Sequence, residues 1–326
     1  MVNVLLIGIG TTTLSALESL LSKCNVQGIL RNVDTVVNAD DPVVNLADKV
    51  GIPIFSDVSQ KNIRSLLLKF NPDCVVVSSY NQILPSDLIE LSTFINVHYS
   101  PLPHYRGRAN VNWAIINDEP CAAITIHKII PELDSGNILF QKLIPIRFDD
   151  TVADLYDMLN DIQRQHLGET VVKVLNGYEG VLQNSAEATY CCTRLPEDGE
   201  INWSAFTRSI DCFIRALVSP FPGAYTHFQE KKLLVWQAKP INNSLTYVGR
   251  IPGRVIGRSK TEGYVDVLTG DGVLRIFEVQ FEGEERTAAA NVIKSVKSTL
   301  GLRMSDLLNR IQTLEQEILR LKENAK

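Results

Sequence analysis

Short runs of almost uninterrupted apolar residues, alternating with helical patterns, constrain this chain more than any other feature. Residues 2–8 (VNVLLIG) and 73–79 (DCVVVSS) have no polar face to offer water, so they read as strands buried on both sides. Strands of that kind belong to parallel sheets covered by helices. Helical periodicity fits residues 11–22, opened by threonines suited to capping, residues 61–70, and residues 86–91 behind Pro85. Further strands fit residues 26–30, 94–98, 122–129 and 138–144, and residues 152–176 form a long amphipathic helix. Such alternation predicts an α/β, doubly wound, Rossmann-like N-terminal domain with ligands at the carboxyl ends of its strands.

A chain of 326 residues exceeds what one core normally organises. The expected division is a catalytic domain over residues 1–183, a linker over 184–203, a barrel-like domain over 204–301 and a C-terminal helix over 302–326. The third segment opens with a helix over 205–217. Five short strands follow, near 225–228, 233–238, 254–256, 265–268 and 274–279, with glycine- and proline-rich joints that suit a small OB-like β-barrel. In the last segment Met304, Leu307, Ile311, Leu314, Ile318 and Leu321 follow steps of three and four. That seam can join two copies into a homodimer or pack on its own chain.

Net charge of −5 offers no electrostatic invitation to a polyanion, so nucleic acid is not expected as a partner. Six scattered cysteines without a C-x-x-C pair read as free thiols in a reducing compartment, neither disulfides nor metal ligands. No secretion signal or twenty-residue apolar span is apparent, and the expectation is a cytoplasmic protein without a membrane partner. Gly8-Ile9-Gly10 follows the first strand in the manner of a dinucleotide loop. Thr13 stands where the third glycine belongs, and Arg31 and Asn32 where an acid would hold ribose, so no nucleotide cofactor is assigned there.

The chemistry concentrates between residues 96 and 136. Asn96 and His98 alternate with Ile95 and Val97, which points both polar side chains to one face of a strand. Ser100-Pro101-Leu102-Pro103, Arg106-Gly107 and, 36 residues past His98, Asp134-Ser135-Gly136 follow. An amide donor, an imidazole and a carboxylate are what acyl transfer needs: a donor for the tetrahedral oxyanion, a proton shuttle and its charge partner.

Asn-x-His, Ser-x-Leu-Pro, Arg-Gly and Asp-x-Gly at these spacings resemble the folate-dependent formyltransferases, which act on glycinamide ribonucleotide, methionyl-tRNA or amino sugars. Ser219-Pro220-Phe221-Pro222-Gly223-Ala224-Tyr225, with Trp236 after it, is similar to the start of the second domain found in the methionyl-tRNA and amino-sugar branches. The resemblance implies N10-formyltetrahydrofolate as formyl donor, no metal, and Asn96, His98 and Asp134 as the catalytic set. It puts folate contacts at Gln82, Ile83 and Leu84, and at Ile129, Pro131 and Leu133 in a loop closing over the pterin. Tyr105-Arg106-Gly107-Arg108 with Asn112-Trp113, and Thr125-Ile126-His127-Lys128, most resemble the transferase acting on UDP-4-amino-4-deoxy-L-arabinose. The expected acceptor is therefore a UDP- or dTDP-linked 4-amino sugar, held by Tyr105, Arg108 and His127. Methionyl-tRNA is the alternative acceptor, and a formyl-folate hydrolase or folate-binding module the third reading. Two departures, Tyr99 after the histidine and Pro101 in place of leucine, imply bulk near the amine and a stiffer loop.

Overall fold

The structure, a computed structural model, describes residues 1–31, 41–242, 245–302 and 304–324. Asn32 lies outside them. Two compact units make up the chain: residues 1–114 with 119–194, and residues 115–118 with 195–326.

In chain order the first unit contains β1 (Val2–Gly8), α1 (Thr11–Leu21), β2 (Cys24–Leu30), α2 (Pro42–Val50), β3 (Ile54–Phe55), α3 (Gln60–Phe70), β4 (Cys74–Ser78), α4 (Ser86–Ile89) and β5 (Thr93–His98). There follow β6 (Arg106–Gly107), α5 (Asn110–Ile116, whose last two residues count with the second unit), β7 (Cys121–Lys128), β8 (Ile138–Pro145), α6 (Val152–Leu175) and β9 (Tyr190–Cys191). One seven-stranded sheet has the order β3-β2-β1-β4-β5-β7-β8. Strands β3 to β5 pair in parallel, as their double-sided burial demands. β7 then lies antiparallel to β5, and β8 antiparallel to β7. The sheet is the α/β architecture expected, with a reversed edge that strand–helix alternation did not disclose.

Local chemistry explains the ends of these elements. Ser59 caps α3 by accepting the Asn62 N–H, and Thr151 with Asp154 forms a reciprocal capping box on α6. The threonines of α1 do not cap it. Gly10 occupies the cap position without a side-chain bond, and Thr12 and Thr13 are buried. Thr12 Oγ1 instead lies 2.8 Å from Ser79 Oγ, joining the first turn of α1 to the end of β4.

Tyr99 also departs from expectation. Its ring is buried and its hydroxyl lies 2.8 Å from Asn160 Oδ1 and 2.6 Å from Gln163 Oε1, both on α6. Gln163 Nε2 donates onward to the Thr12 carbonyl and to Ser78 Oγ. Burial pushes the phenol far above its ordinary range. The residue is a polar strut in the core, so it adds no bulk beside an amine acceptor.

The second unit holds α7 (Thr207–Arg215), β10 (Ala224–Phe228), β11 (Lys231–Ile241), β12 (Val255–Arg258), β13 (Val265–Leu268), β14 (Val273–Phe281), β15 (Thr287–Ala288), α8 (Ala289–Val292) and α9 (Met304–Asn324). Its six strands form an antiparallel sheet in the order β10-β11-β14-β13-β12, with β15 on β14. Alternate residues such as Leu233, Val235, Val265, Val267, Leu274 and Ile276 fill its core. In α9 every residue of the apolar seam stays open, from Leu314 at 40% exposure to Met304 at 71%. Among the described residues no helix is long and apolar enough to cross a membrane.

Candidate active site

β5 carries Asn96 and His98 at the carboxyl end of the parallel part of the sheet, and the antiparallel register with β7 sets His127 opposite Asn96 and Thr125 opposite His98. Four polar side chains therefore meet on one face, two from each strand. The loop beyond β7 brings a fifth. Asp134 Oδ2 lies 3.7 Å from His98 Nδ1, and its Oδ1 lies 3.6 Å from His127 Nε2. The Gly107 N–H donates to Asp134 Oδ2 at 2.9 Å. One carboxylate thus stands between two imidazoles whose rings sit edge to face at 6.1 Å.

Hydrogen-bond partners assign both histidine tautomers. His127 Nδ1 is 2.8 Å from the Lys128 carbonyl, which can only accept, so Nδ1 carries the proton. Nε2 then presents a lone pair, and Asn96 Nδ2 donates to it at 3.1 Å. Burial pushes the His127 pKa down to about 4, against the pull of Asp134, and the nearby His98 adds to the fall. A neutral ring is what this bonding pattern requires. It also fixes the Asn96 amide, leaving its second N–H for a developing oxyanion. His98 Nε2 is 3.0 Å from the Tyr105 carbonyl and must donate there, so Nδ1, on the Asp134 side, is the nitrogen that can take up a proton.

The two glycines of the motif have steric reasons. Gly107 adopts φ 100°, and a Cβ there would meet the Cys191 carbonyl at 2.8 Å, where β6 pairs with β9. A Cβ on Gly136 would come within 2.0 Å of the Lys128 carbonyl. Around the same loops Ser79, Tyr105, Ala109 and Asp134 all hold positive φ without being glycine. Such strain gathers at functional sites when the surroundings over-determine it. Here they do: the Tyr105 carbonyl accepts from both His98 and Asn110.

Sequence reasoning expected His127 among the acceptor contacts, but its ring is 2% exposed and belongs to the Asn96–Asp134 cluster. The alternation of Thr125 and His127 with Ile124 and Ile126 repeats that of Asn96 and His98, and it was the available signal. The Tyr105 hydroxyl donates to Glu119, and Arg108 is exposed on the same loop. On the expected folate side Leu84 is buried in the core, with Ile129 packed against it, while Gln82, Ile83, Pro131 and Leu133 are exposed. The Ile83 carbonyl accepts from Gln60 Nε2. Gln183 was missed entirely. It is buried and bonds both the Arg106 guanidinium and the Asp134 loop, as the last residue of the expected catalytic domain, just before the expected linker. Among the described residues no group of His, Cys, Asp or Glu is placed to hold a metal ion.

Comparison with known proteins bears on the acceptor. Residues 5–171 match the formyl transferase family and residues 195–297 its C-terminal domain. A methionyl-tRNA formyltransferase of Caldanaerobacter subterraneus is 37% identical over 254 residues, covering 75% of this chain and 79% of that protein. That of Staphylococcus aureus MW2 is 30% identical over 311 residues, covering 92% and 98%. Among solved structures, HypX from Aquifex aeolicus in complex with tetrahydrofolic acid superposes with a TM-score of 0.64 at 18% identity, over 91% of this chain and 47% of its own. This chain therefore spans about half of HypX. The sugar 3N-formyl transferase WlaRD, with dTDP and 5-N-formyl-THF, gives 0.64 at 19%, over 87% and 99%. At such identity the two structures speak to the fold alone. The methionyl-tRNA relatives overturn two expectations, the nucleotide-linked amino sugar as acceptor and the exclusion of nucleic acid. The loop around Arg108 and His127 did not carry the acceptor identity read from it, because His127 is buried and only Arg108 remains at the surface.

Proposed function

This chain belongs to the formyl transferase family, and we propose that it transfers the formyl group of N10-formyltetrahydrofolate to the amine of methionyl-tRNA. It is a folate-dependent formyltransferase. The observation that carries the reading is the arrangement of buried His98 with half-buried Asn96 and Asp134, within a chain that resembles methionyl-tRNA formyltransferases over three quarters of its length or more. As the neutral amine attacks the formyl carbon, Asn96 donates its remaining N–H to the oxyanion. His98 accepts the proton lost by the amine at Nδ1 and can return it to the departing folate nitrogen. Asp134 stabilises the imidazolium between these steps. The exposed apolar side chains of Ile83 and Leu133 suit the flat pterin, and Gln82, Ile129 and Pro131 complete that side with Leu84 beneath.

Charge distribution supports a tRNA acceptor better than net charge does. Residues 1–194 carry 14 Lys and Arg against 21 Asp and Glu, while residues 195–326 carry 18 against 16. The acidic excess lies wholly in the part that holds the chemistry. Arg108, exposed beside the site, is suited to a phosphate near the acceptor end. Methionyl-tRNA as acceptor also places the reaction in the cytoplasm, where translation starts. In α9, isoleucine at positions 311 and 318 alternates with leucine at 307, 314 and 321, a pattern that favours a two-stranded coil, so a homodimer belongs to this reading. Removal of residues 305–326 should then halve the solution mass.

The test of function is product analysis. Methionyl-tRNA incubated with enzyme and formyl-folate should yield formylmethionine after base release, and gel-shift binding should weaken with salt. Release of formate without formylmethionine would reject the proposal.

A further inference from the structure

Asp134 reaches its place between two imidazoles from a backbone that L-residues seldom adopt, φ 48°. Something outside the loop must hold it there. Gln183, 6% exposed, makes both of its amide hydrogens serve that loop: Nε2 donates to the Asp134 carbonyl at 2.8 Å and to the Gly136 carbonyl at 2.7 Å. Its Oε1 accepts from Arg106 Nη2 at 2.7 Å. Arg106 is itself buried, its other amine lies 3.3 Å from the Tyr190 hydroxyl, and its Nε has no hydrogen-bond partner among the described residues. The next residue, Gly107, is the backbone donor to Asp134 Oδ2. One side chain therefore ties the loop that carries the carboxylate to the loop that receives it, and every hydrogen-bonding hydrogen of its amide is spent doing so.

We propose that Gln183 is a positioning residue for catalysis, which clamps the Asp134 backbone so that the carboxylate faces His98 Nδ1 and His127 Nε2. Glutamine suits the task because it must donate twice and accept once. Glutamate would put a negative charge against two carbonyls, and leucine would fill the space while freeing the loop. The consequence for the reaction rests on the formyl-transfer reading given above. The consequence for the geometry does not, because the histidines report the carboxylate whatever the acceptor is.

Two measurements on purified full-length protein decide it. In Gln183→Leu, kcat for formyl transfer should fall on the order of 10- to 100-fold, as expected for a misplaced catalytic group, with little change in KM for folate or tRNA. In a cycle with Asp134→Asn the two losses should not add, since Gln183 acts through Asp134. Independently, imidazole nitrogen shifts followed by NMR against pH should show altered titration of His127, whose Nε2 lies 3.6 Å from Asp134 Oδ1, in Gln183→Leu. A merely structural glutamine would lower Tm, leave the His127 titration in place and give losses that add with Asp134→Asn. That result overturns the proposal. If wild-type enzyme leaves methionyl-tRNA unformylated, the acceptor reading fails, and the His127 titration then decides the role of Gln183 alone. Should the leucine variant not fold, Gln183→Glu keeps the acceptor for Arg106 and carries the same expectations.

Discussion

The cluster around Asn96 and the loop from Tyr105 to Asn110 are neighbours in the chain, yet they are built on opposite principles. Every side chain of the cluster has its direction set by a partner: Asn96 by His127, His127 by the Lys128 carbonyl, His98 by the Tyr105 carbonyl, Asp134 by the Gly107 N–H. The loop adds its backbone and the buried Arg106 side chain to that order but leaves Arg108 in solvent. Chemistry that depends on a few tenths of an ångström is buried and over-determined. Arg108 stays at the surface, where many arrangements serve equally and few residue types are obligatory.

The sharpest way to break this contrast is at the cluster itself. His98→Ala should cost ~10²–10⁴-fold in kcat, and Asn96→Ala ~10²–10³-fold, with folate affinity nearly unchanged, as measured by equilibrium binding. A His98→Ala enzyme keeping a tenth of wild-type kcat would remove the imidazole from the reaction. Next in size is a stability effect. Tyr99→Phe leaves Gln163 Oε1 buried without its donor, so the protein should lose ~1–3 kcal/mol by denaturant unfolding while kcat stays the same. A selective rise in acceptor KM would return Tyr99 to the acceptor side.

His127 supplies a pH test. Its folded pKa is depressed to about 4 by burial, whereas the unfolded ring protonates near 6.5. The unfolded state therefore binds the extra proton between those values, and the stability gained by keeping the ring neutral is present above pH 6.5 and lost as pH falls toward 4. His127→Asn should flatten that part of the stability profile, and an unchanged slope would mean the ring is not held neutral. The smallest effect belongs to the exposed loop. Arg108→Ala should raise KM for tRNA without changing that for folate, and lower the salt dependence by about one phosphate contact. Equal losses toward both substrates would make it a structural residue.

How much of this was readable in advance follows the same division. Strands such as β4 advertise themselves because burial on both faces leaves no room for polar residues, and the spacing of Asn96, His98 and Asp134 is itself chemistry. α2 went unread although Asp41 caps it ahead of Pro42, because its apolar stripe is short. The reversed strand β7 hid the role of His127, since periodicity reports burial and says nothing of direction. Tyr105, Ala109 and Asp134 hold glycine-like backbone with ordinary side chains, so the strain left no mark in the sequence. Gln183 looks like any polar residue at a domain's end until the fold brings Arg106 and Asp134 to it. Net charge misled about the acceptor because it averages an acidic first part with a weakly basic second one.

The most direct test of the central claim is a side-by-side measurement of kcat/KM with formyl-folate as donor, for methionyl-tRNA and for UDP- and dTDP-linked 4-amino sugars. The account predicts robust formylation of methionyl-tRNA, abolished by His98→Ala, with negligible turnover of any sugar. Efficient formylation of a nucleotide sugar, with methionyl-tRNA left unmodified, would contradict it.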